Sequence, residues 1–172
     1  MKKRTALCLA LLAAILPLAA QDAALLSGIL EKQSATVTDF SYLVASQLGM
    51  ECTPFEAYTY CDRFGTFPFA KNAEQPVTVR MVSHFLMKNY GLKGGILWNA
   101  TGSARYAWKE LKAQGFWKAG TDPDHVLSGR DLVRAVSKFV AKWPEATLRD
   151  PPVPEAKAEY RDAIFSAKEE QK

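Results

Sequence analysis

Two arginines stand close to predicted helix starts, and each follows a loop that carries an aromatic side chain. A guanidinium holds an anionic group through charge-assisted hydrogen bonds, while an aromatic ring offers a stacking surface. A capping hydroxyl precedes each arginine. The candidate ligand-binding residues are therefore Arg80, Arg130, Phe67, Trp117, Thr78 and Ser128. The alternative is that each arginine braces the neighbouring segment of chain, which is the commoner role for such a residue.

Metal chemistry has little support in the sequence. His84 and His125 are the only histidines, and neither belongs to a zinc-ligand spacing. The Asp122-Pro-Asp124 segment has two carboxylates, but the distal glutamate of a calcium loop is missing, so a turn is expected. We expect no metal and no cofactor.

Catalytic signatures are also missing from the sequence. It contains no nucleophile elbow, no glycine-rich phosphate loop and no recognisable Cys–His signature. Glu51, Glu56 and Asp62 could be read as an acid pair for glycan cleavage. Helix capping and surface charge explain them better, so the chain is predicted not to be an enzyme.

The elements that must position these residues follow a repeated plan. Residues 57–93 align without a gap on residues 107–143, so that Thr78 falls on Ser128 and Arg80 on Arg130. A shorter, partial copy is predicted at residues 39–50, with a cap region that aligns only through a gap. We predict an all-α fold of two to three stacked helix-loop-helix repeats, plus flanking N- and C-terminal helices.

Local signals place the individual helices. Apolar side chains recur at helical spacing, and glycines mark helix ends. Capping boxes are predicted at Thr53-Pro54 with Glu56 and at Ser128 with Asp131. The predicted helices cover residues 22–32, 39–48, 54–64, 78–90, 103–114, 128–143 and 155–170. Large aromatics at such spacing are usually core residues, and we expect this of Trp98, Trp108 and Trp143.

The ends of the chain differ in composition from its middle. Lys2, Lys3 and Arg4 precede a short apolar run and small residues, a pattern typical of a secretory signal peptide over residues 1–20. The repeat domain is then predicted at 21–143, a proline-rich linker at 144–154 and a C-terminal helix at 155–172. That run is too short for a membrane span of about 20 residues, so none is expected after cleavage.

Charge excludes one class of function. Without the three basic residues of the predicted signal, 19 of the 22 basic residues remain against 18 acidic ones, a net charge of +1. The basicity of the whole chain therefore belongs mostly to the targeting segment, and no nucleic-acid partner is expected.

Two cysteines, Cys52 and Cys61, remain beyond the predicted signal. Export makes a disulfide conceivable. A helix between them would separate the two by roughly 10 Å, more than a disulfide spans. The sequence leaves the bridge open, with burial of Cys61 as a small apolar residue as the alternative.

The loop and cap at Thr121–Asp131, with the helix end Ala113–Trp117, resemble the S-layer homology (SLH) domain, a family of helical repeats. The resemblance covers roughly residues 39–143, although both arginines stand one position later than the family's arginine. It implies a pseudo-threefold fold that binds cell-wall polysaccharide. The expected function is an exported, non-catalytic envelope module in the periplasm or cell envelope, with cell-wall polysaccharide or another envelope protein as partner. The alternatives are an interaction subunit without glycan binding and, distantly, an exported hydrolase.

Overall fold

The computed structural model describes residues 23–65 and 72–149, so the predicted signal peptide and C-terminal helix lie outside the described residues. Within them the all-α prediction is confirmed, with two isolated β-bridges and no strand. No helix in these ranges is long and apolar enough to cross a membrane. The helices are α1 (23–31), α2 (Val37–Gln47), α3 (Pro54–Asp62), α4 (Val79–Asn89), α5 (Ile96–Thr101), α6 (Ala104–Ala113) and α7 (Gly129–Lys142).

Hydroxyl side chains start four of these helices. Thr36, Thr53, Thr78 and Ser128 each accept a hydrogen bond from the backbone N–H three residues later. Such bonds satisfy amides that the helix itself leaves unpaired. The box predicted at Thr53 is present, and Thr36 forms a second one with Asp39.

Three residues that precede these caps form a closed ring of backbone hydrogen bonds. The amide of Ala35 donates to the carbonyl of Leu127 at 2.8 Å, Leu127 donates to Val77 at 3.0 Å, and Val77 donates to Ala35 at 2.9 Å. All three side chains are buried. Because a buried amide without a partner is costly, the ring fixes three distant segments of chain against one another.

A second set of bonds surrounds the ring. The first helical amides of α2 and α4, Val37 and Val79, donate to the carbonyls of Gln75 and His125 at 3.0 and 3.1 Å, and Gly129 of α7 donates to Lys32 at 2.9 Å. Helices α2, α4 and α7 therefore all start at the ring.

The cap of the partial copy aligns better than the sequence analysis predicted. Ser41 aligns with Ser83, and at the same offset Thr36 aligns with Thr78 without a gap. The predicted gap was therefore wrong. The interpretation of the chain as repeats stays a prediction, since the ring and caps describe geometry alone.

Helices pair across the predicted copies rather than within them. α2 packs most extensively on α3, and α4 on α6, with smaller contacts of α2 with α7 and of α5 with α6. The predicted copy at residues 57–93 contains α4 and most of α3, and these two helices are not among the pairs that pack on each other. The connection from α2 to α3 is short, which favours antiparallel neighbours, whereas the loop from α3 to α4 is long.

The core between these pairs is aromatic at its centre. Phe85 of α4 meets Phe40 of α2 edge-on at 5.1 Å between ring centroids and Phe64 at 5.7 Å. Tyr90 continues the cluster to Phe139 of α7 at 4.6 Å. Edge-to-face contacts at these distances stabilise aromatic pairs, so the cluster joins three helices.

Helix α1 lies tightly against the start of α7. Ile29 is buried, while Leu25, Leu26 and Leu30 stay 37–39% exposed. A methyl group on Gly129 would overlap the carbonyl oxygen of Ile29 and stand 2.7 Å from its carbonyl carbon. Glycine is therefore required here by close backbone approach.

Two segments differ from their predicted structure. The connector after α4 contains the short helix α5, and residues 144–149 turn back onto the domain instead of standing off as a linker. Ala146 and Leu148 pack on the core, and the amide of Arg149 donates to Asn89 at 2.9 Å. The folded domain thus extends at least to Arg149.

Candidate functional site

The capping hydroxyls of the candidate set have structural partners. Thr78 accepts from the amide of Met81 at 3.4 Å, and Ser128 accepts from Asp131 at 3.2 Å. The expected reciprocal bond, in which the Ser128 amide would donate to the Asp131 carboxylate, is not formed. That carboxylate accepts from the Ser128 hydroxyl at 2.7 Å instead, so the predicted capping box was wrong in its second half.

Arg80 is joined to the loop before α7. Its amide donates to Pro123 at 2.8 Å, and its guanidinium forms an ion pair with Asp124. The Asp124 amide in turn donates to the Asp122 carboxylate at 2.9 Å, which gives the expected turn. These contacts favour the bracing role for Arg80 over ligand binding.

Trp117 is likewise held by the protein. Its indole N–H donates to the Ser83 hydroxyl in α4 at 2.8 Å, and its ring meets Phe116 edge-on at 4.8 Å. The side chain is only half-buried, yet its polar atom is occupied. A stacking role for Trp117 stays a prediction.

The remaining candidates do not join this group. Arg130 is exposed at the start of α7, and no ion pair of its side chain occurs within the described ranges. Phe67 lies outside the described residues. The structure therefore brings Thr78, Arg80 and Trp117 to α4 and its neighbouring loop, while Ser128 and Arg130 lie beside α1.

A concave site lies where α4, α6 and α7 end. We call it the carboxyl-end groove; it has a volume of about 580 Å³. Ten residues line it: Tyr90, Gly91, Leu92, Lys93, Gln114, Lys142, Trp143, Pro144, Glu145 and Ala146. Clefts of this size that combine aromatic surfaces with a few polar groups are typical ligand sites.

The aromatic part of the groove is rigidly supported. Tyr90 packs on Phe139, and Trp143 lies 5.4 Å from Phe139 and 5.6 Å from Phe116 between ring centroids. Both Tyr90 and Trp143 are half-buried. Burial, followed by nearby Cys61, raises the pKa of Tyr90 to about 12.

The rim of the groove is polar and mostly cationic. The Lys142 ammonium lies 5.4 Å from the Trp143 ring centroid, within cation–π range. The Gln114 amide donates to the carbonyl of Lys93 at 3.1 Å, which ties the end of α6 to the segment after α4. Lys93 and Lys142 are exposed and Glu145 adds one carboxylate, so the groove suits polar ligands with some negative charge.

A second pocket, of about 310 Å³, lies between α1 and the start of α2. Its polar side is the ion pair of Lys32 with the buried Asp39, 2.7 Å long. Asp39 also accepts from the amide and hydroxyl of Thr36. Since these groups satisfy one another, the pocket offers fewer polar contacts than the groove.

The side chains that could carry out catalysis, such as cysteine, histidine and glutamate, contact other parts of the protein. No disulfide joins Cys52 and Cys61. Burial raises the pKa of the Cys61 thiol to about 12, and that thiol contacts the Ser41 carbonyl at 3.9 Å. Buried His84 lies 3.0 Å from the Gly102 carbonyl. A hydrogen bond from the Thr53 amide lowers the pKa of Glu56. No metal-binding group of three or more His, Cys, Asp or Glu occurs in residues 23–65 and 72–149.

The candidate set chosen from the sequence did not include the groove residues. The sequence predicts Trp143 as a core residue, and it is indeed partly packed on the core. The signal that pointed to them was weak: aromatics and lysines at the last turns of α4 and α7. Trp98 is buried and Trp108 half-buried, in keeping with their expected core positions.

Comparison with known proteins identifies no relative: no family model, curated protein or solved structure matches the chain. The SLH resemblance therefore rests on the loop and cap residues alone and stays a prediction.

Proposed function

We propose that the chain is an exported, non-catalytic module of the cell envelope that binds cell-wall polysaccharide in the carboxyl-end groove. The observation that carries the proposal is the groove itself, which is lined by Tyr90 and Trp143 together with the lysines of its rim. Aromatic faces pack against the apolar faces of sugar rings, and ammonium groups hold acidic or hydroxyl groups.

Support for a binding module also comes from the three helix starts. We propose that Thr36, Thr78 and Ser128 are equivalent positions of three copies, the first including α1. The ring of Ala35, Val77 and Leu127 closes these copies on themselves. A closed arrangement gives a rigid scaffold and keeps the groove at the helix ends in one shape. Binding then loses little free energy to the ordering of loops and side chains.

The test measures how much of the exported form of the protein, residues 21–172, is retained on purified cell-wall sacculi. Lys93→Gln/Lys142→Gln should lower retention roughly thirtyfold, since each of the two lost charge-assisted bonds contributes about 1 kcal/mol. The matched control is Arg63→Gln/Arg134→Gln, which removes two exposed charges outside the groove and should leave retention unchanged.

Arg130→Gln separates the two candidate sites. Loss of retention in Arg130→Gln, with the groove variant unaffected, would move the site to the start of α7. If the wild-type chain is not retained on sacculi and instead copurifies with a single envelope protein, the interaction-subunit alternative replaces this proposal. Release of soluble sugar from sacculi would indicate the hydrolase alternative.

A further inference from the structure

Helix α5 presents two large aliphatic side chains to solvent. Ile96 is 86% exposed and Leu97 is 56% exposed, whereas the next residue, Trp98, is only 8% exposed. A side chain on Gly94 would overlap the Trp98 ring and meet Met87 of α4 at 3.0 Å. Trp98 thus anchors α5 to the domain, and the anchored helix holds Ile96 and Leu97 outward.

The neighbouring helix α6 carries a basic surface opposite its buried side. Ala107 and Leu111 are fully buried, and Arg105 and Lys109 are exposed. Arg105, Lys109 and Lys112 follow one another at spacings of four and three residues, which places them on one side of the helix.

Aromatic rings support the lysines of this surface. The Lys109 ammonium lies 5.4 Å from the centroid of Tyr106, and the Lys112 ammonium lies 4.8 Å from that of Trp108. Both rings are half-buried. Half-buried Tyr and Trp beside lysine are the combination that proteins use at the boundary between apolar and aqueous surroundings.

The aliphatic and basic parts are adjacent. α5 contacts α6, and a side chain on Gly95, the cap of α5, would stand 2.8 Å from the Glu110 carboxylate of α6. Residues 96–113 contain three basic residues and one acidic one, a net charge of +2, against +1 for all of residues 21–172. Three of the four charges in this segment are therefore positive, and they stand on the helix that contacts α5.

We propose that this surface, the α5–α6 face of Ile96, Leu97, Arg105, Lys109 and Lys112, docks on a membrane with anionic phospholipids. Ile96 and Leu97 enter the headgroup layer, where burial of their apolar surface stabilises the bound state. The three basic side chains face the lipid phosphates, whose negative surface potential attracts them. The charge of the face selects this occupant over an uncharged apolar partner.

Flotation with lipid vesicles tests the proposal, using residues 21–172 because the apolar run before them would bind lipid by itself. Wild-type protein should float with vesicles of phosphatidylglycerol and phosphatidylcholine in equal parts, and stay behind with phosphatidylcholine alone. Ile96→Ser/Leu97→Ser should weaken binding roughly tenfold or more. Both residues are exposed, so their replacement should leave the melting temperature unchanged.

Two controls make the result specific. Phe55→Ser changes a large apolar residue on α3 that is 71% exposed, and it should bind as the wild type does. Arg105→Gln/Lys109→Gln should lose binding to the anionic vesicles, and high salt should release the wild type. The Ile96→Ser/Leu97→Ser variant should still be retained on sacculi, which separates this face from the groove.

Three results would overturn the proposal. The first is a wild-type chain that binds neither kind of vesicle and therefore does not float, in which case the face has another occupant such as a protein. The second is a serine variant that binds as well as the wild type. The third is Phe55→Ser losing as much binding as the serine variant, which would indicate unspecific adsorption of apolar side chains.

Discussion

The substitution Gly129→Ala tests how α1 and α7 meet. The backbone of Gly129 is helical, so alanine has no conformational difficulty there and the obstacle is steric. Its methyl group would overlap the backbone carbonyl of Ile29 and lie 3.4 Å from the Leu30 Cα. Because these are backbone atoms, no change of side-chain rotamer relieves the overlap, and the end of α1 must move away from α7.

The cost follows from what that movement breaks. Exposing Ile29, now 5% exposed, costs about 1.5–3 kcal/mol. Losing the hydrogen bond from Gly129 to Lys32 costs about 1 kcal/mol. The higher helix propensity of alanine returns up to about 1 kcal/mol. We expect a net loss of about 2 kcal/mol, and a melting temperature roughly 8 °C lower for a domain of this size.

Urea unfolding followed by circular dichroism measures this loss. Gly120→Ala is the matched control, because a Cβ at Gly120 meets no atom within 4 Å; we expect a change close to zero there. Equal stability of the two variants would refute the close approach of α1 to α7. It would also argue against the hydrogen bond from Gly129 to Lys32, the third of the three bonds that surround the ring.

Other predictions concern the caps, the pH and the fragments. Ser128→Ala should lower the free energy of unfolding by about 1 kcal/mol and Thr78→Ala by less, because Thr78 forms a single long bond; equal losses in urea titrations would contradict this. The buried Cys61 thiol keeps its proton up to a pKa of about 12, while the unfolded thiol ionises near 9.0. Stability should therefore be complete below about pH 9 and fall as the pH rises, by on the order of 1 kcal/mol at about pH 10. In Cys61→Ala the fall in stability should begin only near pH 10, where Tyr90 ionises in the unfolded chain while its folded pKa is about 12. A fragment of residues 103–143 should be unfolded by circular dichroism, because α6 lacks its partner α4; a cooperative melt would show that it folds independently.

The helix starts were accessible from sequence because capping is local chemistry. Thr53, Pro54 and Glu56 lie within four consecutive residues, and the box they form needs no other part of the chain. The same reasoning failed in detail at Ser128, where Asp131 has a choice between the amide and the hydroxyl of the cap. Helical spacing likewise indicated the buried stripe of α7, although Val140 at its end is 41% exposed.

Pairing of the helices was decided by tertiary structure. The repeated pattern in residues 57–93 and 107–143 marks where similar segments occur, but not which helix each of them contacts. α3 packs on α2 because a short turn joins them, and α6 packs on α4. The ring could not be foreseen, since the amides of Ala35, Val77 and Leu127 have no side-chain signature.

By itself, the sequence determined the all-α class, the capped helix starts at Thr53, Thr78 and Ser128, and the positions of most buried stripes, since each depends on residues within a few turns. Tertiary structure alone decided the candidate site. The carboxyl-end groove takes Tyr90, Gln114 and Trp143 from the ends of three helices far apart in the chain. Arg80, chosen from sequence as a ligand contact, faces Asp124 because the loop before α7 folds against the start of α4. A side chain's type sets which bonds it can make, and the packing of distant segments sets which partner it meets.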